Sequence, residues 1–214
     1  MNELLNALFV VILTLNLFSL ASGRLLSNIR IVAAQGVLLG ILPFLVEGEI
    51  GFTVLLSSFA AISLKGFVIP GIMTKALRDV RIKREVEPLI GLMPSTILGA
   101  IVTALVFLVF SRYRAAGQDA VSFVIPTAIA TILAGFILLT TRYKALSQVL
   151  GYLVLENGIY IFSLLLLEGI PFVVEMGMLL DLFVSVFIVS IITNHINRAF
   201  SSLDTRVLVS LREE

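Results

Sequence analysis

Apolar residues run through this chain in long blocks separated by short polar stretches. Seven blocks stand out: Leu4–Ala21, Leu25–Val46, Ile50–Ile72, Leu89–Phe110, Val121–Thr140, Ala145–Leu167 and Pro171–Thr193. Each is near the ~20 residues that an apolar helix needs to cross a ~30 Å hydrocarbon core. Membrane β-strands are about half that length and alternate in polarity, which these blocks do not. Backbone groups in hydrocarbon must bond internally, so the pattern predicts an all-α fold: a polytopic integral membrane helix bundle with seven transmembrane helices.

The connectors predict its orientation. Arg24 and Arg30 lie around the first turn, Lys75, Arg78, Arg81, Lys83 and Arg84 fill the third connector, and Arg142 and Lys144 occupy the fifth. Arg198, Arg206 and Arg212 follow the last block. The alternate connectors hold Glu47 and Glu49, then Arg112, Arg114 and Asp119, then Glu168. The Lys/Arg excess on one side predicts that this side is cytoplasmic, with the N-terminus outside and the C-terminus inside. Arg112 and Arg114 are the dissenting pair. The first block is expected to be a retained span, because a signal peptide would begin with a basic region and here the early charge is Glu3.

A shift of 121 residues lays Gln35–Gly36 on Glu156–Asn157 and Glu47–Gly48 on Glu168–Gly169, which suggests an internal three-helix repeat. The predicted units are 1–88, an N-terminal three-helix unit with a basic cytoplasmic connector; 89–120, a linking helix; and 121–214, a second three-helix unit with a cytoplasmic tail. Pro88, Pro94 and Pro171 fall near block starts, whereas Pro43, Pro70 and Pro126 predict kinks or breaks.

Composition supports the same class. Of 214 residues, 59% are hydrophobic and 14% charged, and mean hydropathy is +1.11; soluble domains are roughly 45–50% apolar and about 25% charged. The chain has no Cys, hence no disulfide, iron–sulfur cluster or thiolate metal site, and its one His, His195, cannot build a multi-His site. No cofactor or metal is therefore expected in this chain. A net charge of +1 argues against a generalised nucleic-acid binder. Lys75–Glu87 is the longest polar stretch, too short for an inserted catalytic domain.

Ionisable side chains deep in a bilayer cost about 2.5–3.5 kcal/mol each on insertion scales, so those that remain there need a reason. Glu156 lies mid-span, and Tyr160 and Ser163 share its helical face, with Asn157 beside it. Desolvation opposes the charged form of a buried carboxylate, which suits a group that holds and releases a proton. Asp181 lies at similar depth in the last span, and Glu175 six residues earlier is either interfacial or part of the same route. Lys65 has two readings: it snorkels to the cytoplasmic interface, or it partners a buried carboxylate. Asn16 and Gln35 read as packing donors, the Lys75–Arg84 cluster as a topology determinant and a docking surface, and His195 as a helix-end cap. The candidate proton-path residues are thus Glu156, Asp181, Lys65, Tyr160 and Glu175, with no catalytic residue named.

Gly151…Glu156-Asn157 and Asp181…Arg198…Leu203-Asp204 resemble a known pattern. The last three blocks look like the small three-helix NuoK-type subunit of complex I and of multisubunit cation/proton antiporters. The second acid there is Glu and here is Asp. The full-length layout, with Gly151–Tyr160 as its most specific stretch, resembles the elongated form of that family, hydrogenase-4 component E of formate hydrogenlyase-type and other group 4 nickel–iron hydrogenases. The resemblance implies a multi-pass subunit of the prokaryotic cytoplasmic (inner) membrane, itself without a redox centre. It implies antiporter-like membrane subunits, a membrane anchor and a hydrogenase module as partners, with nickel–iron and iron–sulfur centres in those partners. Redox energy would be coupled to proton or cation movement through the buried carboxylates. Two alternatives stand beside this: a self-sufficient seven-helix transporter or receptor, and a structural assembly subunit with no ion path.

Overall fold

The computed structural model describes residues 2–46, 51–79, 88–114 and 123–164. The last predicted span, with Glu175 and Asp181, and His195 after it lie outside the described residues. What is described is helical: α1 (Asn2–Ala21), α2 (Leu25–Val46), α3 (Phe52–Ala61), a π-helical segment (Ile62–Val68), α4 (Ile69–Asp79), α5 (Leu92–Arg114), α6 (Val124–Thr141) and α7 (Ala145–Ser163). Among the described residues five stretches are long and apolar enough to cross a membrane: Glu3–Ala21, Leu25–Leu45, Ser58–Arg78, Leu92–Arg112 and Val124–Thr141. α7, at 19 residues, is not among these five. These helices fit a membrane protein.

The third predicted span is longer than its apolar block and is not uniform. α3, the π segment and α4 follow one another without a break. Inside the π segment the hydrogen-bond step widens, so the amide of Ile69 reaches the carbonyl of Leu64. Pro70 follows at once and has no N–H to restore the tighter α pattern there. The expected disruption at Pro70 therefore takes the form of a π segment just before it. Pro126 was expected to kink or break its helix, but it lies in the first turn of α6, where no intrahelical N–H is required. α2 is continuous through Pro43.

α6 and α7 form the most extensive helix pair, joined by a short turn at 142–144, and α2 packs against α1, α3, the π segment, α4 and α7. α5 is peripheral: only 11% of its apolar window is buried, and Met93, Ile101, Leu105 and Leu108 face outward. The apolar core is divided. One cluster joins Leu20, Leu25, Ile29, Val32, Met73, Leu138, Leu146, Leu150 and Leu153 at one end of the bundle. A second joins Phe9, Ile12, Leu39, Leu42, Val124, Ala128 and Ile161 toward the other end. Between them, on every helix that contributes to both, sits a polar residue: Asn16, Gln35, Thr131, or Glu156 with Asn157.

The start of α5 also departs from its block. Leu89 and Ile90 precede the helix, and Gly91 turns the chain with φ +80°, a conformation that favours glycine. The amide of Leu89 donates to the carbonyl of Thr141 at 2.8 Å, which ties this entry to the end of α6.

Candidate functional site

Glu156 is the twelfth residue of α7, about 17 Å along it by helical rise and so past its midpoint. It is buried, and its Oε1 lies 3.2 Å from Nζ of Lys65, which is buried to a similar degree. Of the two readings of Lys65, the structure shows the partner of a carboxylate. The π segment places it there. Gly36 of α2 faces the Lys65 backbone so closely that an added Cβ would lie 2.6 Å from its carbonyl carbon, and one at Gly40 would meet Ile62. The spacing Gly36-x-x-x-Gly40 is the small-residue pattern that lets membrane helices approach closely. It was present in the sequence and is the signal that could have located the α2–π segment contact.

Tyr160, one turn beyond Glu156 on α7, completes the group: Lys65 Nζ lies 5.2 Å from the centre of its ring, within the range of a cation–π contact. Ser163 shares that face, but its hydroxyl donates to the carbonyl of Tyr160 at 2.8 Å. Among the described residues neither carboxylate oxygen of Glu156 accepts a directed hydrogen bond. The contact with Lys65 is therefore an ion pair by distance alone, and the carboxylate keeps open acceptor capacity in a setting where unmet capacity is costly.

A chain of amides and hydroxyls adjoins the pair. Asn157 Nδ2 donates to Gln35 Oε1 at 3.3 Å. Gln35 Nε2 donates to Asn16 Oδ1 at 2.8 Å, and Asn16 Nδ2 donates to Thr131 Oγ1 at 2.9 Å. The Thr131 hydroxyl closes the chain on the Thr127 carbonyl at 2.7 Å. The donors all point one way, from α7 through α2 and α1 to α6, an order in which each bond polarises the next. Asn16 and Gln35 are thus the packing donors expected of them, and they are also neighbours of the charge pair. Amides do not titrate in the neutral range; Glu156 and Lys65 are the groups here that can change charge.

Arg142 lies in the connector after α6, as the sequence predicts, and is almost fully buried there, at 1% exposure. Its Nη2 donates to the Leu20 carbonyl at 2.8 Å and its Nη1 to Ser95 Oγ at 3.3 Å, while Gln148 Nε2 donates to its carbonyl at 3.1 Å. Leu20 O is one of the carbonyls that the end of α1 leaves without an intrahelical partner. Arg142 therefore staples the end of α1 to the start of α5 at the turn after α6. Burial holds its guanidinium below the ordinary arginine range.

Comparison with known proteins gives the family context. No protein-family model matches the chain, and no solved structure matches it. The uncharacterized protein Rv0085 of Mycobacterium tuberculosis is 29% identical over 187 residues, 86% of this chain and 85% of that protein. Hydrogenase-4 component E of Escherichia coli K12 is 25% identical over 158 residues, 74% of this chain and 73% of the relative, and the Shigella flexneri protein of that name matches equally. The chain is thus distantly homologous to hydrogenase-4 component E over about three-quarters of its length.

Proposed function

We propose that this chain is a membrane-arm subunit of an energy-converting hydrogenase or complex I-like assembly, in which the Lys65–Glu156 pair takes part in proton (or cation) translocation. The observation that carries the proposal is a charge pair at 3.2 Å, buried between two apolar clusters. Distant homology to a hydrogenase-4 membrane subunit supports membership of such a complex. The redox chemistry belongs to partner subunits, whose nickel–iron and iron–sulfur centres release the energy. Arg24, Arg30, Lys75, Arg78, Arg142 and Lys144 gather at one end of the helices, which supports a cytoplasmic assignment for that end.

The chemistry follows from charge. While the pair is closed, ammonium and carboxylate neutralise each other in a medium that tolerates neither alone. A proton arriving at Glu156 removes the attraction that holds Lys65, and a proton leaving restores it. Tyr160 offers Lys65 a cation–π contact beside the carboxylate. Asp181 and Glu175 are proposed as the continuation of the route. The amide chain supports a second reading, in which the polar layer is only a brace between helices.

The test is Glu156→Gln and Asp181→Asn in the intact complex, with ion movement and redox turnover measured in inverted vesicles. Loss of either acid should lower coupled ion movement about a hundredfold, the low end for a positioned acid–base group. Unchanged ion movement in both variants would remove these residues from any route and leave the brace.

A further inference from the structure

We infer that the cleft between the start of α2 and α4 holds the phosphate headgroup of an anionic phospholipid. The cleft encloses about 450 Å³ and is lined by Arg30, Lys75 and Arg78, with Ile29, Ala33, Pro70, Gly71 and Thr74 between them. All three cations are exposed, and among the described residues no carboxylate lines the cleft. Three positive charges and a hydroxyl facing one space make an anion site. The apolar lining says which anion. A free phosphate has no use for Ile29, Ala33 and Pro70, but the glycerol and first methylenes of a lipid do.

Position points the same way. Arg30 is five residues into α2, about 8 Å by helical rise, and Arg78 ends the membrane-length stretch Ser58–Arg78. The cleft therefore lies at headgroup depth and between two spans, where it opens sideways to lipid. Phe67, four residues before Gly71, is 67% exposed, and Val68 beside it is exposed as well. Both lie farther from Arg78 than the cleft residues do along the stretch Ser58–Arg78, on the side where an acyl chain would run. Basic pockets between membrane helices on the cytoplasmic side bind anionic headgroups by this combination of charge and depth. The inference needs the chain to be in a bilayer and does not depend on ion movement through Glu156.

The test uses the full-length chain, delipidated in detergent and returned to nanodiscs of phosphatidylcholine with or without phosphatidylglycerol. Lipid retained on the protein is counted by native mass spectrometry. Phosphatidylglycerol should be held in preference to phosphatidylcholine. R30Q, K75Q and R78Q should each weaken retention about fivefold, whereas R30K should keep most of it. R24Q removes a cation at the same end but outside the cleft and should leave retention unchanged. G71F is the steric arm. A Cβ at Gly71 meets nothing within 4 Å, so the ring can fill the cleft without disturbing the fold. It should displace the lipid with no loss of thermal stability. Equal retention of the two lipids, an equal effect of R24Q and R30Q, or no effect of G71F would overturn the inference. Displacement by millimolar inorganic phosphate would make the cleft a small-anion site, and displacement by an acidic soluble protein would make it a docking surface; either result also overturns it.

Discussion

Glu156 and Lys65 explain each other. Either charge alone, so deeply buried, would carry a large desolvation cost; at 3.2 Å each is the other's counter-ion. Glu156 was legible from the sequence because a carboxylate in the middle of an apolar block is conspicuous. Lys65 was legible only as an alternative, because a long lysine near a span end snorkels just as well, and nothing along one chain says which helix faces another. The bonds of Arg142 were hidden for the same reason. In sequence it is one more connector cation, and only the approach of α1 and α5 shows it to be a staple. Arg142→Met removes its bonds to Leu20 and Ser95 and should lower stability by about 1.5–3 kcal/mol in denaturant unfolding. Burial lowers the Arg142 pKa below the ordinary arginine value. A depressed cation destabilises the folded state by a constant amount at any pH below its folded value, and that cost fades only as pH rises through it. The difference between wild type and R142M should therefore be the same at about pH 6 and about pH 8. A loss that grows or shrinks between them would contradict this.

Among the elements, the meeting of α2 with the π segment decides where the lysine points. Helix α2 can approach because Gly36 and Gly40 present no side chain to Lys65 and Ile62. The π segment is where Pro70 interrupts the α pattern. The apolar blocks locate the described helices to within a few residues at most of their ends. They do not reveal that the third block extends to Asp79 with a widened turn inside it, since π and α turns draw on the same residues. Gly36→Ala would place a methyl 2.6 Å from the Lys65 backbone and force the two elements apart. It should cost about 1–3 kcal/mol in denaturant unfolding. Gly71→Ala, with open space around it, should instead stabilise α4 by about 0.5–1 kcal/mol. Equal effects at the two glycines would mean that helix propensity, and not close approach, governs Gly36.

At the level of the whole molecule, the described bundle is two apolar clusters separated by a polar layer, with α5 at its margin. That layer is what an ion route and a structural brace have in common, and removing its charges as a pair distinguishes them. The substitution is Lys65→Met with Glu156→Leu, made together in the assembled complex. Replacing a buried ion pair by apolar residues of similar volume is often neutral or stabilising, so assembly and thermal stability should stay near those of wild type. Ion movement measured in vesicles at matched redox turnover should nonetheless be lost, because the proposed route is interrupted where the pair stood. Ion movement that survives in the doubly substituted complex would show the pair to be a brace and nothing more.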